Sequence, residues 1–180
     1  MSPRLKTLYK EKAVPNLEEK FNYSNFHQIP KIEKIQLNRG LGLSAQNKNI
    51  LKKSIEEFSA ITGQKPIITK AKNSNAGFKI REAMDLGLTV TLRSNKMYAF
   101  LDKFINITLP QIRDFKGLSS KGFDRDGNFS VGLTEQLIFP EISYEDVDQI
   151  YGLDVTIVTT AGTKEESKAL LLELGFPFND

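Results

Sequence analysis

Four short segments of the chain alternate apolar and polar residues, and this alternation constrains the fold more than any other feature. The segments are 32–38, 87–93, 128–134 and 153–159. In the second of them, Leu88 and Val90 alternate with Thr89 and Thr91. Because successive side chains of a strand point to opposite faces, each segment predicts a strand with one buried and one hydrated face. Such strands favour a mainly antiparallel sheet that is covered on one side.

The remaining patterned segments predict helices and one further short strand. Residues 47–62 and 95–108 carry apolar residues at helical spacing, and residues 4–21 do so with an interruption at Pro15. A capping-box pattern opens a last helix at Thr163, and residues 67–70 read as a strand. We predict an α+β fold, with helices on one face of a mainly antiparallel open sheet, of the ferredoxin or RNA-recognition-motif type. We expect a single domain over residues 1–180, with an extended basic loop at 71–86.

Composition removes several classes of protein. The longest apolar run, Met97–Leu101, has five residues, whereas a membrane span needs about 20. The chain has no cysteine, which removes disulfides, thiolate zinc sites and thiol nucleophiles, and its one histidine, His27, has no nucleophile motif beside it. We therefore expect no membrane partner, no metal, no cofactor and no catalytic residues.

Charge is distributed unevenly along the chain. Residues 1–100 contain 18 Lys and Arg against 8 Asp and Glu, whereas residues 101–180 contain 7 against 14. This uneven charge indicates an anionic partner at one end of the molecule. The alternative is that the charges lie on solvated helix faces that happen to have this distribution.

The hydrated sides of the predicted strands carry mostly amides and hydroxyls, with a few cations. Such groups donate to phosphate oxygens and to ribose 2′-hydroxyls, which predicts a nucleic-acid interface. The alternative is structural, because threonine favours strands and lysine protects sheet edges without any nucleic-acid partner. The predicted interface residues on these strands are Lys34, Gln36, Asn38, Thr89, Thr91, Arg93, Asn128 and Ser130.

The basic loop favours the nucleic-acid interpretation. The segment 64–81 contains five cations and no acid, and residues 71–86 show no structural period. Phe78 either stacks on a base or anchors the loop in the core. The strands lack aromatic residues at their hydrated centres, which favours a structured RNA over a single strand. The five cations are Lys65, Lys70, Lys72, Lys79 and Arg81.

Two other functions remain open from the residues alone. Gly40–Ala45 fits the dinucleotide pattern G-x-G-x-x-A between a strand and a helix, but the following strand ends without the acid that binds ribose. The same glycines suit an RNA phosphate. A ferredoxin-like interaction module is the third possibility, and it would bind RNA no better than its net charge predicts.

Seven blocks of the sequence stand out together, and they are 37–42, 61–66, 76–81, 90–93, 112–118, 135–142 and 152–161. In order and with matching spacings, they resemble the bacterial-type large-subunit ribosomal protein L5 family, whose members bind 5S rRNA in the central protuberance. The resemblance runs from about Arg4 to Phe178.

The resemblance implies a structural, non-catalytic constituent of the large ribosomal subunit. It implies that the matching positions Asn38, Gln64, Phe78, Thr91 and Ser130 bind 5S rRNA. It further implies that the loop reaches toward P-site tRNA and that an outer surface approaches a small-subunit head protein in an inter-subunit bridge. Large-subunit rRNA and neighbouring central-protuberance proteins are the other implied partners. The loop positions toward tRNA are Lys72, Asn73, Ser74, Asn75, Ala76 and Gly77.

Several positions depart from the family pattern. Phe123-Asp124 is followed by Arg125-Asp126-Gly127 rather than Gly-Arg-Gly, and Asn73 and Asn75 make the loop less basic. The 148–154 block is similar to cyanobacterial and plastid members, and lysine outnumbers arginine nineteen to six. With no transit-peptide pattern at the N-terminus, we expect a plastid-encoded protein of the chloroplast stroma, with a bacterial cytoplasm as the alternative.

Overall fold

The structure, a computed structural model, describes residues 3–179, and only the backbone of Asp146. It contains two compact units. The first comprises residues 3–35, 92–131 and 156–179, and the second comprises residues 36–91 and 132–155. Compactness does not show whether either unit folds alone, so the single-domain organisation stays a prediction.

The structure has five α-helices and seven strands among the described residues. The helices are α1 (Arg4–Leu8), α2 (Val14–Phe21), α3 (Lys48–Thr62), α4 (Ser94–Lys103) and α5 (Lys164–Glu173). The strands are β1 (Ile32–Gly40), β2 (Ile67–Lys70), β3 (Asp85–Leu92), β4 (Leu118–Ser119), β5 (Phe129–Leu133), β6 (Leu153–Thr159) and β7 (Phe178–Asn179).

The main sheet has five strands in the order β2-β3-β1-β6-β5. β2 pairs antiparallel with β3, and the amide of Thr160, just after β6, donates to the carbonyl of Lys31, just before β1. That bond joins the end of one strand to the start of its neighbour, as antiparallel pairing requires. The predicted α+β fold with a mainly antiparallel sheet is confirmed.

Burial along the strands confirms the predicted alternation. In β3, Leu88, Val90 and Leu92 are buried while Thr89 and Thr91 are partly exposed. β6 buries every second residue in the same way. β1 departs from strict alternation, because Ile32 and Ile35 are both buried with two more accessible residues between them.

The first unit is built on helix pairs and a cluster of aromatic rings. α1 packs against α4, and α2 packs against α5. Phe129 lies 4.8 Å from Phe123 and 5.3 Å from Phe178, centroid to centroid, and Phe104 contacts Phe176. Large rings contribute most to a core of this size, because each removes a large apolar area from water.

The second unit is built around α3. The Asn47 side chain accepts a hydrogen bond from the amide of Asn49 at the start of this helix, and Gly63 ends it in the left-handed region at φ 64°. One hydrophobic cluster of this unit consists of Leu41, Ala45 and Leu88, which are surrounded by the partly buried Leu51, Ile55, Ile68 and Tyr151.

The structure corrects the predicted element boundaries. The segment 95–108 is α-helical only to Lys103 and continues as a π-helix over Phe104–Thr108. A second π-helix, Tyr9–Ala13, lies between α1 and α2, and Pro15 sits in the first turn of α2, where a missing amide costs little. The parallel pair β4–β7 has two residues in each strand, too few to leave a period in the sequence.

A glycine at the contact of β1 with β3 gives a test of this packing. A Cβ added at Gly87 would lie 2.4 Å from the Arg39 carbonyl oxygen, whereas one added at Gly40 meets nothing within 4 Å. We expect Gly87→Ala to lower the free energy of unfolding by about 1–3 kcal/mol, because backbone cannot yield as a flexible side chain does. Gly40→Ala, the matched control, should change it by less than about 0.5 kcal/mol. Urea denaturation measures both, and equal values for the two variants would contradict the close contact of Gly87 with the backbone of β1.

Candidate nucleic-acid interface

In the second unit, the hydrated faces of β1 and β3 are linked by side-chain hydrogen bonds. The Thr89 hydroxyl donates to the Leu37 carbonyl at 3.1 Å and accepts from the Gln36 amide at 3.4 Å. Asn38 and Thr91 lie on the same faces and are partly exposed. The bonds orient the amide of Gln36 and use the one hydrogen of the Thr89 hydroxyl. The groups on this face that can donate to phosphate and ribose are therefore the amides of Gln36 and Asn38 and the hydroxyl of Thr91.

Gln64 joins this face from the end of α3. Gly63 reverses the chain there, and the Thr62 hydroxyl contacts the carbonyls of Phe58 and Gln64 at 2.6 and 3.0 Å. The Gln64 side chain then donates to the carbonyl of Thr91 at 3.3 Å. A residue from a loop is thus fixed beside the predicted binding residue Thr91.

The basic loop is folded, which its sequence did not indicate. The amides of Ala71 and Ala83 donate to the carbonyls of Met84 and Ala71, and Asn75 and Ile80 exchange two backbone bonds. The amide of Glu82 donates to the Ser74 hydroxyl at 3.0 Å. The segment 71–84 is therefore a hairpin-like loop, and the expectation of an irregular segment through residue 86 is wrong, because backbone bonds leave no side-chain period and because β3 already begins at Asp85.

The tip of this loop presents its side chains to solvent. Residues 72–79 are all exposed, and Phe78 is 70% exposed. The anchoring role considered for Phe78 is therefore wrong, since an anchor would be buried. An exposed ring is available for stacking on a base.

The cations of the second unit differ in their surroundings. Lys65, Lys70, Lys79 and Arg81 are all exposed, and Lys70 Nζ lies 3.9 Å from the Asp85 carboxylate, an acid outside the basic run. An exposed pair at that distance is weak, so Lys70 keeps most of its attraction for an anion.

The predicted strand residues divide between the two units. Gln36, Asn38, Thr89 and Thr91 belong to the second unit. The others, Lys34, Arg93, Asn128 and Ser130, belong to the first. In the first unit Arg93 lies 3.6 Å from Glu33, and the Ser130 hydroxyl is hydrogen-bonded to Thr156 at 3.1 Å.

Asn128 has a structural role in the turn before β5. Its backbone and side-chain amides donate to the two carboxylate oxygens of Asp124 at 2.7 and 2.8 Å, and its side-chain oxygen accepts from the amide of Thr159. Desolvation raises the pKa of Asp124, but the hydrogen bonds from Asn128 and from the Asp126 amide together outweigh it, so the pKa lies below its ordinary value. The RNA contact of Asn128 stays a prediction.

Sequence reasoning missed a buried arginine next to Asn38. The Arg39 side chain is 0% exposed, and its Nη1 lies 2.5 Å from Glu57 Oε2. The guanidinium carbon lies 4.8 Å from the Phe58 ring centre and 6.0 Å from that of Tyr151, and Nε and Nη2 are buried without a hydrogen-bond partner among the described residues. Its burial could have been inferred from its position, because Arg39 follows Ile35 and Leu37 at intervals of two residues and so lies on the same face of β1.

The glycine motif does not form a dinucleotide site. β1 and β2, which flank α3, are not neighbours in the sheet, so the parallel βαβ unit of such sites is missing. A five-residue 3-10 segment, Gly42–Gln46, precedes α3, and Leu41 and Ala45 point into the core.

The described residues contain neither a membrane-spanning helix nor a cluster of potential metal ligands. No helix there has the length and apolar character that crossing a membrane requires. Among the side chains that the structure describes, no three acidic or histidine groups come together as ligands for a metal ion.

Comparison with known proteins identifies the family. Residues 25–81 match the family model described as Ribosomal protein L5, and residues 85–178 match that described as ribosomal L5P family C-terminus. The large ribosomal subunit protein uL5 of Picosynechococcus sp. is 58% identical over 180 residues, which is 100% of this chain and 99% of the relative. The uL5 proteins of Acaryochloris marina and Synechocystis sp. are 56% and 57% identical over 180 and 178 residues, with 99–100% of the chain and 99% of each relative covered. The chain belongs to the ribosomal protein L5 family.

The buried ion pair gives a stability test. We expect Glu57→Ala to cost about 3 kcal/mol of unfolding free energy, because it leaves the Arg39 charge buried without its partner. Glu56→Ala is the control, since Glu56 forms an exposed pair with Lys52 at 3.9 Å and should cost less than about 0.5 kcal/mol. Chemical denaturation measures both, and a neutral Glu57→Ala would contradict the pairing.

The Asp124–Asn128 turn gives a pH test. Because the pKa of Asp124 is lowered in the folded protein, its stabilising contribution is present above the unfolded value near 3.8 and is lost as the pH falls through the folded pKa. Asn128→Ala should raise the pKa of Asp124, as followed by NMR titration of the carboxyl carbon. A pKa that the substitution leaves unchanged would show that these hydrogen bonds do not control it.

Proposed function

We propose that this chain is a structural constituent of the large ribosomal subunit that binds 5S rRNA in the central protuberance. Membership of the ribosomal protein L5 family supports the ribosomal role. The observation that carries the RNA-binding role is the hydrated face of β1 and β3, next to a folded and highly exposed basic loop in the same compact unit.

Each group of residues on this unit has a distinct role in the proposal. The exposed cations Lys65, Lys79 and Arg81 neutralise phosphates, which sets the affinity and its dependence on salt. The amides and hydroxyls of β1 and β3 bind ribose hydroxyls and phosphate oxygens. Gln64 binds beside Thr91, and Phe78 stacks on an unpaired base.

The tip of the loop, residues 72–77, extends toward P-site tRNA in this proposal. The backbone bonds between Asn75 and Ile80 support the role, because a folded loop loses less conformational entropy on binding than an irregular one. Small and amide side chains at the tip allow close approach to a nucleic-acid backbone.

The remaining partners are proposed for other surfaces. Large-subunit rRNA and neighbouring central-protuberance proteins contact the chain within the subunit, and a small-subunit head protein contacts it across the bridge. Exposed Glu141 and Glu145 in the second unit would attract a basic protein, whereas the nearby Asp148 is already paired with Lys53. We further propose a non-catalytic role in the plastid. The cyanobacterial relatives support a plastid or bacterial ribosome alike.

Binding of 5S rRNA to the whole chain tests the proposal. A filter-binding titration should show tighter binding to 5S rRNA than to an unrelated folded RNA of equal length, at each of several salt concentrations. Equal affinity for the two RNAs would reject the proposed specificity.

A charge reversal in the loop tests which cations act. We expect Arg81→Glu to weaken 5S rRNA binding roughly tenfold or more at about 0.15 M salt. The plot of log K against log salt should become less steep, by about 0.7–0.9 for each phosphate that is no longer neutralised. Lys164→Glu, which reverses an exposed charge at the start of α5, is the control. Similar reductions in affinity for the two variants would mean that the loop is only a solvated run of charge.

A further inference from the structure

An aliphatic side chain interrupts the hydrated face of the second unit. Ile67 is the first residue of β2, an edge strand of the sheet, and is 70% exposed. It lies directly opposite Thr89 in the antiparallel register. Directly opposed residues of an antiparallel pair project from the same face, so Ile67 lies beside the hydroxyl that accepts from Gln36.

The next residue fixes the direction of this side chain. Ile68 is partly buried and packs against the core of Leu41, Ala45 and Leu88. Successive strand residues point to opposite faces, so the inward position of Ile68 turns Ile67 outward. The exposure of Ile67 therefore follows from the register of β2. The register places this apolar side chain among polar side chains.

The chemistry around Ile67 favours a nucleic acid as its partner over a second copy of the chain. Lys65 and Lys70 flank it, and no acid occurs between residues 64 and 81. β2 has four residues, follows Pro66 and has a register irregularity between Thr69 and Lys70. Short, bulged edges flanked by lysine disfavour pairing with another strand.

We propose that Ile67 packs against the ribose of a bound rRNA nucleotide, between the cations that hold its phosphates and the threonines that bind its hydroxyls. This inference rests on the proposed binding of rRNA and adds an apolar contact to it. The C–H surface of a ribose is the apolar part of an RNA backbone, and burying Ile67 against it removes both from water. The contact contributes affinity without a dependence on salt.

The test compares variants of the full chain in salt-dependent titrations with 5S rRNA. Ile67→Thr keeps the β-branched shape and strand propensity but introduces a hydroxyl, and Ile67→Val keeps most of the apolar surface. Ile150→Thr is the matched control, because Ile150 is 58% exposed in the same unit but lies outside the sheet. Sedimentation of each free variant reports its association state.

We expect Ile67→Thr to weaken binding by roughly five- to tenfold, with an unchanged slope of log K against log salt, since this apolar packing displaces no counterion. Ile67→Val and Ile150→Thr should bind within about twofold of the unsubstituted chain. Unchanged affinity of Ile67→Thr, or a reduced salt slope, would overturn the inference. A dimer that Ile67→Thr dissociates would overturn it in favour of a second copy. Failure of the unsubstituted chain to prefer 5S rRNA would instead reject the proposed function.

Discussion

The removal of alternate side chains from water along β1 and β3 is the constraint on which the second unit depends. Leu37, Leu88 and Val90 are buried completely or nearly so, and each contributes about 2 kcal/mol by leaving water. A slip of one residue in either strand would expose this set and bury the polar one. The same force that forms the core thus holds the amides and hydroxyls of the proposed interface in solvent.

Much of the architecture was predictable because it depends on local periodicity. The alternation in β3 and β6, the α3 helix ending at Gly63 and the capping box at Thr163 all follow from short-range chemistry. The folded loop 71–84 was not predictable, since backbone bonds such as that from Ala71 to Met84 need no particular side chain. The pair β4–β7 was not predictable either, because two residues in each strand are too few to leave a period in the sequence.

The candidate site was predictable to a different degree at each residue. The alternation of side chains along β1 and β3 placed Asn38 and Thr89 on the hydrated face. The same alternation places Arg39 on the buried face, but its charged side chain argues against burial. Its aromatic neighbours and the carboxylate of Glu57 lie 18 or more residues away in sequence, so their role depends on the fold. Asn128 shows the converse limit, because a residue predicted to lie on the hydrated face of a strand is half-buried and hydrogen-bonded in the turn before β5.

The most direct measurement of the proposed interface is a map of amide NMR signals during titration of the labelled chain with 5S rRNA. We predict changes concentrated in the second unit, on β1 and β3, at Gln64 and through the loop 71–84. The amides of α2 and α5 in the first unit should change little. Changes centred on α2 and α5, with those of β1, β3 and the loop unaffected, would contradict the interface.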